Sequence, residues 1–253
     1  MCALLYYHSL RPWLSRFGQG LPILTYHKLG PRPANARLKG LYLGEKLFAR
    51  QLSELKLAGF AAISLSDWPP SSPGNERRVI ITFDDGFRNV LEHGLRPLQE
   101  NGFRAIQFLV ADRIGGQNDW EIAEGETPAP LMNKEEVRAW LAAGHEIGSH
   151  TSTHPWLTRV PAAKAREEIS GSRKKLEDQF GVPVKHFCCP YGDWNESVRD
   201  LVAAAGYTTA CTTEPGVNTP ADSPFALKRI TARYPSRNLK ALWSRLHGFG
   251  HFL

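Results

Sequence analysis

Short apolar runs alternate along the chain with longer segments in which apolar residues recur every three or four positions. The runs predict strands at 21–28, 61–68, 77–83, 104–111, 145–149, 184–188 and 207–213, and the longer segments predict helices at 45–60, 89–103, 132–143, 161–180, 196–205 and 239–246. Most of these helices end at a glycine. Repeated strand–helix units indicate an α/β fold of parallel strands with crossover helices, either a barrel or a doubly wound sheet.

The composition fits a globular protein that keeps its thiols reduced. The chain has 253 residues and is 42% hydrophobic, enough for one large domain or two small ones. Its apolar stretches fall short of the roughly 20 residues that span a bilayer, and its start is a poor match to a secretory signal. The four cysteines follow no paired spacing. We therefore expect free thiols and a cytoplasmic location, with contact to the membrane surface as an option.

Charge divides the chain into three parts. Residues 1–44 and 223–253 each contain six Lys or Arg and no acidic residue, although the net charge of the whole chain is only +6. Basic ends around an acidic body are typical either of a solubilising surface or of a protein near phospholipid, a sugar phosphate or nucleic acid. We predict a basic aromatic segment at 1–20, a main domain at 21–235 and an amphipathic helix with a tail at 236–253.

Chemically reactive residue types collect where the predicted strands end. Asp84 and Asp85 follow the apolar run at 79–83, and two adjacent carboxylates there are costly unless a cation, a helix end or water compensates them. His150 and His154 are four residues apart, a spacing that on a helical turn would place both imidazoles within reach of one metal ion. Surface histidine pairs are common, so this spacing is weak evidence without the carboxylates.

Three motifs occur in an order that resembles a known family. TFDDG at 82–86, GSHTSTHPWLT at 148–158 and FCCPYG at 187–192 are similar to the polysaccharide deacetylases of the NodB-homology type, carbohydrate esterase family 4, and the resemblance extends from Leu21 to about Arg233. It implies a distorted (β/α) barrel of about seven parallel strands. It also implies a divalent metal, usually zinc, and hydrolysis of the acetamide of an amino sugar.

The resemblance implies a role for each matching residue. Asp85, His150 and His154 would bind the metal, Asp84 would be the general base, and Tyr191 would donate its backbone N–H to the oxyanion. The substrate would be an N-acetylated glycan or a lipid-linked amino sugar, and no nucleic-acid partner is expected. The oligomeric state stays open.

The sequence departs from the family pattern at two places. The late Leu-x-His motif that often supplies the general acid is missing, but His27 matches a histidine of the poly-N-acetylglucosamine deacetylase subgroup and is our candidate. Cys188 occupies the position of an arginine that braces the catalytic aspartate, and Arg229 is a possible substitute. His93, His145 and His186 are expected to be structural.

Two alternatives remain open at this point. The missing arginine and histidine also fit a non-catalytic carbohydrate-binding relative, and the wider superfamily includes amidohydrolases that act on other amides. Aromatic residues that could line a sugar groove favour a glycan substrate, although core packing explains each of them equally well; they are Trp120, Trp156 and Trp194.

Overall fold

The computed structural model describes Phe17, residues 20–69 and residues 77–232. The predicted segment 1–20 lies almost entirely outside these residues, and the predicted helix at 239–246 lies wholly outside them. In the described part of the chain, no helix is both long enough and apolar enough to cross a membrane.

The described residues form eleven strands and six α-helices. The strands are β1 Leu21–Tyr26, β2 Lys28–Leu29, β3 Tyr42–Leu43, β4 Ala61–Ala62, β5 Arg78–Phe83, β6 Ile106–Leu109, β7 Glu146–Ser149, β8 His186–Cys188, β9 Thr209–Pro215, β10 Val217–Asn218 and β11 Leu227–Thr231. The α-helices are α1 Glu45–Leu57, α2 Arg88–Asn101, α3 Lys134–Ala142, α4 Ala162–Arg166, α5 Ser172–Phe180 and α6 Glu196–Ala204. A π-helical turn, Glu167–Gly171, joins α4 to α5.

Seven strands close into a barrel. The order around it is β1, β11, β9, β8, β7, β6 and β5, with β5 pairing back to β1, and all these pairings are parallel. This confirms the predicted barrel and excludes the doubly wound sheet. Because the strands are parallel, their carboxyl ends meet at one rim, where α/β barrels carry their functional residues.

Alternating side chains build two apolar layers. On β1 and β5, Ile23 and Ile80 point into the barrel, whereas the next residues, Leu24 and Ile81, join the layer between the barrel and the helices. The helices contribute apolar residues to that outer layer at helical spacing, as Phe48, Leu52 and Leu55 of α1 do. Two-sided burial explains why the barrel strands read as continuous apolar runs.

The segment 61–68 differs from the predicted strand. Only Ala61–Ala62 pairs, parallel to the start of β5. Ser64 then caps a short 3₁₀ turn in which the carboxylate of Asp67 accepts a hydrogen bond from the backbone N–H of Ser64. The turn directs Leu65 into the apolar cluster of the barrel interior, so this segment closes the end of the barrel opposite to the rim.

Candidate active site

Four barrel strands bring the predicted site residues together at the rim. Asp84 and Asp85 follow β5, His27 follows β1, His150 follows β7, and Tyr191 lies in a 3₁₀ turn just beyond β8. In the described ranges, four residues other than glycine have positive φ, and all belong to this rim: Asp85, Thr151, His154 and Tyr191. Such left-handed backbone is unfavourable for these residue types and is concentrated at functional sites.

Both imidazoles converge on one carboxylate oxygen. The Nε2 atoms of His150 and His154 each lie 3.3 Å from Asp85 Oδ1, and all three side chains are buried. The pair does not lie on a helical turn. The segment is a loop in which Thr151 and His154 adopt φ of 69° and 66°, and the left-handed backbone brings His154 back beside His150.

The hydrogen bonds of this cluster fit a bound cation. His150 Nδ1 lies 2.8 Å from the carbonyl oxygen of Cys188, which can only accept, so Nδ1 carries a proton and Nε2 is the ring atom that faces Asp85. Burial alone would lower the pKa of His150, but its polar surroundings, Asp85 among them, raise that pKa well above its ordinary value. A cation bound to Nε2 would displace the proton there. Burial lowers the pKa of His154, so this second ring is neutral at neutral pH. Ligand atoms 2.0–2.1 Å from a tetrahedral zinc ion are about 3.3 Å apart. The donor set Asp85, His150 and His154, whose atoms lie within 4.8 Å of one another, could therefore hold such an ion.

Asp84, unlike Asp85, forms an ion pair with an arginine, Arg229. The guanidinium Nη1 and Nη2 atoms each lie 2.7 Å from one carboxylate oxygen of Asp84, and both side chains are buried. The same guanidinium donates to the hydroxyls of Thr25 and Thr82. Burial on its own would raise the pKa of Asp84, but the charge and hydrogen bonds of Arg229 lower it below its ordinary value. Asp84 is therefore ionised at neutral pH.

Cys188 makes room for this arginine. Its Sγ lies 3.1 Å from Arg229 Nη2 and 3.7 Å from Asp84 Oδ2, so the small side chain borders the ion pair. Arg229 reaches the pair from β11, two strands away from β8 around the barrel. An arginine therefore does brace Asp84. It belongs to β11 and not to β8, where the family motif has its arginine at the position of Cys188.

Replacing Arg229 should leave the buried carboxylate of Asp84 without a counter-charge. We expect Arg229→Met to lower the free energy of unfolding by about 3–5 kcal/mol, because it leaves a buried charge unpaired. The pKa of Asp84 should rise, which would move the acidic limb of the kcat/KM profile to higher pH. Because the folded-state pKa of Asp84 is lowered, its stabilising contribution is present at neutral pH and is lost as the pH falls through that pKa.

Urea denaturation at several pH values checks this expectation. The difference in stability between wild type and Arg229→Met should narrow as the pH falls. Arg173→Met is the matched control, since Arg173 forms a half-buried pair with Glu177 on α5. Equal stability of wild type and Arg229→Met at neutral pH, with an unmoved acidic limb, would contradict this role for Arg229.

His27 is the third histidine close to the two aspartates. Its Nε2 is 3.8 Å from Asp84 Oδ2, and its side chain is 21% exposed, whereas His150 and His154 are almost completely buried. The structure therefore places His27 beside the same carboxylate, with access to solvent. This is a suitable place for a group that exchanges protons with a substrate.

The ring of Tyr191 stacks against that of Trp156, and both residues are partly exposed to solvent. Their rings are parallel within 4° with centroids 4.0 Å apart, and the guanidinium carbon of Arg159 lies 4.0 Å from the Trp156 centroid. The two partners cannot share one face of the indole without clashing, so both faces are covered. In this arrangement neither ring face of Trp156 is free for a sugar, although 36% of the residue is exposed. Asp193 accepts hydrogen bonds from the backbone and hydroxyl of Thr158 and so fixes this turn.

The other described histidines lie away from the cluster. His145 stacks on Trp140, His186 bonds to Thr209 and Ser66, and His93 pairs with Glu45. The described cysteines are buried and free; they are Cys188, Cys189 and Cys211. Burial raises the pKa of each of these thiols to about 12, so they are unreactive.

Fold and site together define a barrel hydrolase with an aspartate–histidine cluster at its rim. The family model of the polysaccharide deacetylases matches residues 71–210, which is more than half of the chain. The chain therefore belongs to the polysaccharide deacetylase family, whose members hydrolyse amide bonds.

Individual relatives are similar over different shares of their length. YxkH of Bacillus subtilis is 25% identical over 83% of this chain and 70% of its own. A chitooligosaccharide deacetylase of Bradyrhizobium is 27% identical over 51% of this chain and 53% of its own.

Solved structures agree on the fold. A polysaccharide deacetylase from Bacillus cereus superposes with a TM-score of 0.73 and 25% identity, over 89% of this chain and 69% of its own. IcaB from Ammonifex degensii superposes with a TM-score of 0.75 and 21% identity, over 91% of this chain and 96% of its own, a likeness that concerns the fold.

Proposed function

We propose that this protein removes N-acetyl groups from the amino sugars of a glycan, using a divalent metal held by Asp85, His150 and His154. The observation that carries the proposal is the convergence of both Nε2 atoms on Asp85 Oδ1, directly beside a second carboxylate that is held ionised by Arg229. Zinc is the metal that this two-histidine, one-carboxylate set favours, because catalytic zinc keeps such a set and leaves a position open.

Amide hydrolysis needs a stronger nucleophile and a more polarised carbonyl than water and an acetamide offer. A bound divalent ion supplies both, since it lowers the pKa of a bound water from 15.7 to about 7 and polarises a carbonyl oxygen. The protein residues must then move protons and stabilise the charge that develops on the acetyl oxygen.

Asp84 is the group proposed to accept the proton from the attacking water. Its carboxylate is ionised, it is adjacent in sequence to the ligand Asp85, and its position is fixed by two hydrogen bonds of 2.7 Å from Arg229. A fixed orientation keeps the basic oxygen aimed at one place, which is a large part of what a catalytic base contributes.

Two further groups complete the proposed mechanism. The backbone N–H of Tyr191 is proposed to donate to the oxyanion, and the 4.6 Å distance between the rings of Tyr191 and His154 supports a position beside the proposed metal site. One such donor contributes about 3 kcal/mol to the stabilisation of a transition state. His27, whose Nε2 lies 3.8 Å from Asp84 Oδ2, is proposed to protonate the departing amine.

His27→Ala should reduce kcat by about 10²–10⁴-fold, the range that general acid catalysis supplies. Metal content should stay the same, since His27 is outside the donor set. His93→Ala is the control, because His93 is a partly exposed histidine paired with Glu45. Unchanged kinetics in the His27 variant would assign the acid to another group.

Acetate release from N-acetylglucosamine oligomers tests the proposed function. Protein loaded with zinc should release acetate, and the same protein treated with a chelator should not. Metal binding without acetate release from any oligomer would contradict the proposal and favour a carbohydrate-binding relative or an amidohydrolase with another substrate. A lipid-linked substrate, a cytoplasmic location and contact with the membrane surface stay predictions.

A further inference from the structure

His150 and His154 are held in different ways. The Nδ1–H of His150 donates to the carbonyl of Cys188, the kind of hydrogen bond by which metal-ligating histidines are normally oriented. Nδ1 of His154 is buried and has no hydrogen-bond partner among the described residues. Its ring must therefore be oriented by packing.

Two aromatic rings provide that packing. Trp120 stacks on His154 with a centroid distance of 4.3 Å and an interplanar angle of 18°, and Tyr191 meets it edge to face at 4.6 Å and 75°. Trp120 therefore covers one face of the imidazole, while the ring of Tyr191 limits its rotation. A half-buried tryptophan can do this only if its own position is fixed.

Trp120 belongs to the long connection between β6 and α3, where only short 3₁₀ turns and isolated bridges are found. The next residue, Glu121, forms an ion pair with Lys28 at 2.9 Å, and the Lys28 side chain is 0% exposed. Asn118 also donates to the same Glu121 oxygen, at 2.6 Å. The connection is thus tied to the strand segment that directly follows His27.

The surroundings of Lys28 leave Glu121 as its charged partner. Its ammonium group lies 4.5 Å from the centroid of the Phe87 ring and 5.1 Å from that of Tyr42. A buried ammonium is costly unless a carboxylate compensates it, so Glu121, and with it Trp120, is held at one place over the rim.

We propose that Trp120 is a positioning residue for His154, and that the Lys28–Glu121 pair anchors it. The stacked indole does for His154 what the Cys188 carbonyl does for His150. This inference rests on the proposed metal site. It predicts that metal affinity depends on two residues, Lys28 and Glu121, that are not metal ligands and belong to a different part of the chain from both histidines.

Zinc affinity, measured by competition with a chromophoric chelator, tests the first step. Loss of an outer partner of a metal ligand typically weakens binding by about 10–100-fold, and we expect Trp120→Ala to fall in that range. Trp120→Phe keeps a ring to stack on His154 and should recover most of the affinity. Trp194→Ala is the matched control, since Trp194 is also a half-buried tryptophan. With Co²⁺ as the probe, the visible absorption spectrum should change in Trp120→Ala and not in Trp194→Ala.

The anchor is tested by replacing both charges. Lys28→Met with Glu121→Leu leaves no buried charge unpaired, so the variant is expected to fold, which circular dichroism checks. It should weaken zinc binding as Trp120→Ala does, and adding Trp120→Ala to it should cause little further loss, because the residues act through one contact.

The outcomes separate this inference from the proposed function. Zinc binding by wild type that is lost in His154→Ala but unchanged in both Trp120→Ala and the Lys28/Glu121 double variant would overturn the positioning role and leave the metal site standing. Failure of wild type to bind zinc or Co²⁺ would overturn both. Additive losses in the triple variant would overturn the anchor.

Discussion

Asp85→Ala is expected to have a zinc affinity well over 100-fold lower than that of wild type. As a result, it should show no measurable deacetylation. Asp85 is the anionic member of the proposed donor set, and its Oδ1 is the atom on which both imidazoles converge. The loss should exceed the roughly 10–100-fold that outer partners of a metal ligand contribute. Metal content after dialysis, measured by mass spectrometry, and acetate release report the two effects.

Asp112→Ala provides the control for removing a carboxylate, because Asp112 is a partly exposed acid paired with Lys175. It should retain both metal and activity. If Asp85→Ala kept one zinc ion per chain, the ion would have to be held by other residues and the proposed donor set would be wrong.

Asp84→Asn should give the complementary result, in which metal is retained and kcat falls by about 10²–10⁴-fold. An amide has nearly the shape of the carboxylate and still accepts a hydrogen bond from Arg229, but it cannot accept the proton of the attacking water. The variant leaves the guanidinium of Arg229 without its full counter-charge, so its folding must be checked by urea denaturation. Zinc content and steady-state kinetics on one preparation provide the comparison.

The contrast between these neighbouring aspartates distinguishes their roles. Loss of metal from Asp84→Asn would make Asp84 a ligand, and near-normal turnover would move the general base elsewhere. Either outcome would contradict the roles proposed for the pair, even if the protein proved to be a deacetylase.

The sequence alone predicted the parts of the candidate site that are formed by residues close together in the chain. TFDDG and the H-x₃-H segment predicted residues that the structure brings within hydrogen-bond distance of one another. Strand–helix alternation predicted parallel strands, and the family resemblance predicted the closed barrel that the strand order shows. These signals are local, or repeat at a regular interval, and can therefore be read without a structure.

Contacts between distant residues could not be read in this way. Arg229 and Asp84 are 145 residues apart, and Lys28 and Glu121 are 93 apart. Which arginine braces the base depends on how β11 is placed around the barrel, so the sequence could name Arg229 only as a possible substitute for the arginine missing at position 188. The left-handed backbone at His154 was equally hidden, since histidine gives no signal for it as glycine would.

The most direct test of the metal site is a crystal structure of the zinc-loaded protein with anomalous diffraction measured at the zinc edge. We expect one strong peak about 2.0–2.2 Å from Nε2 of His150, Nε2 of His154 and a carboxylate oxygen of Asp85. A peak elsewhere, or a structure in which the Asp85 carboxylate points away from both rings while the protein is active, would contradict the account.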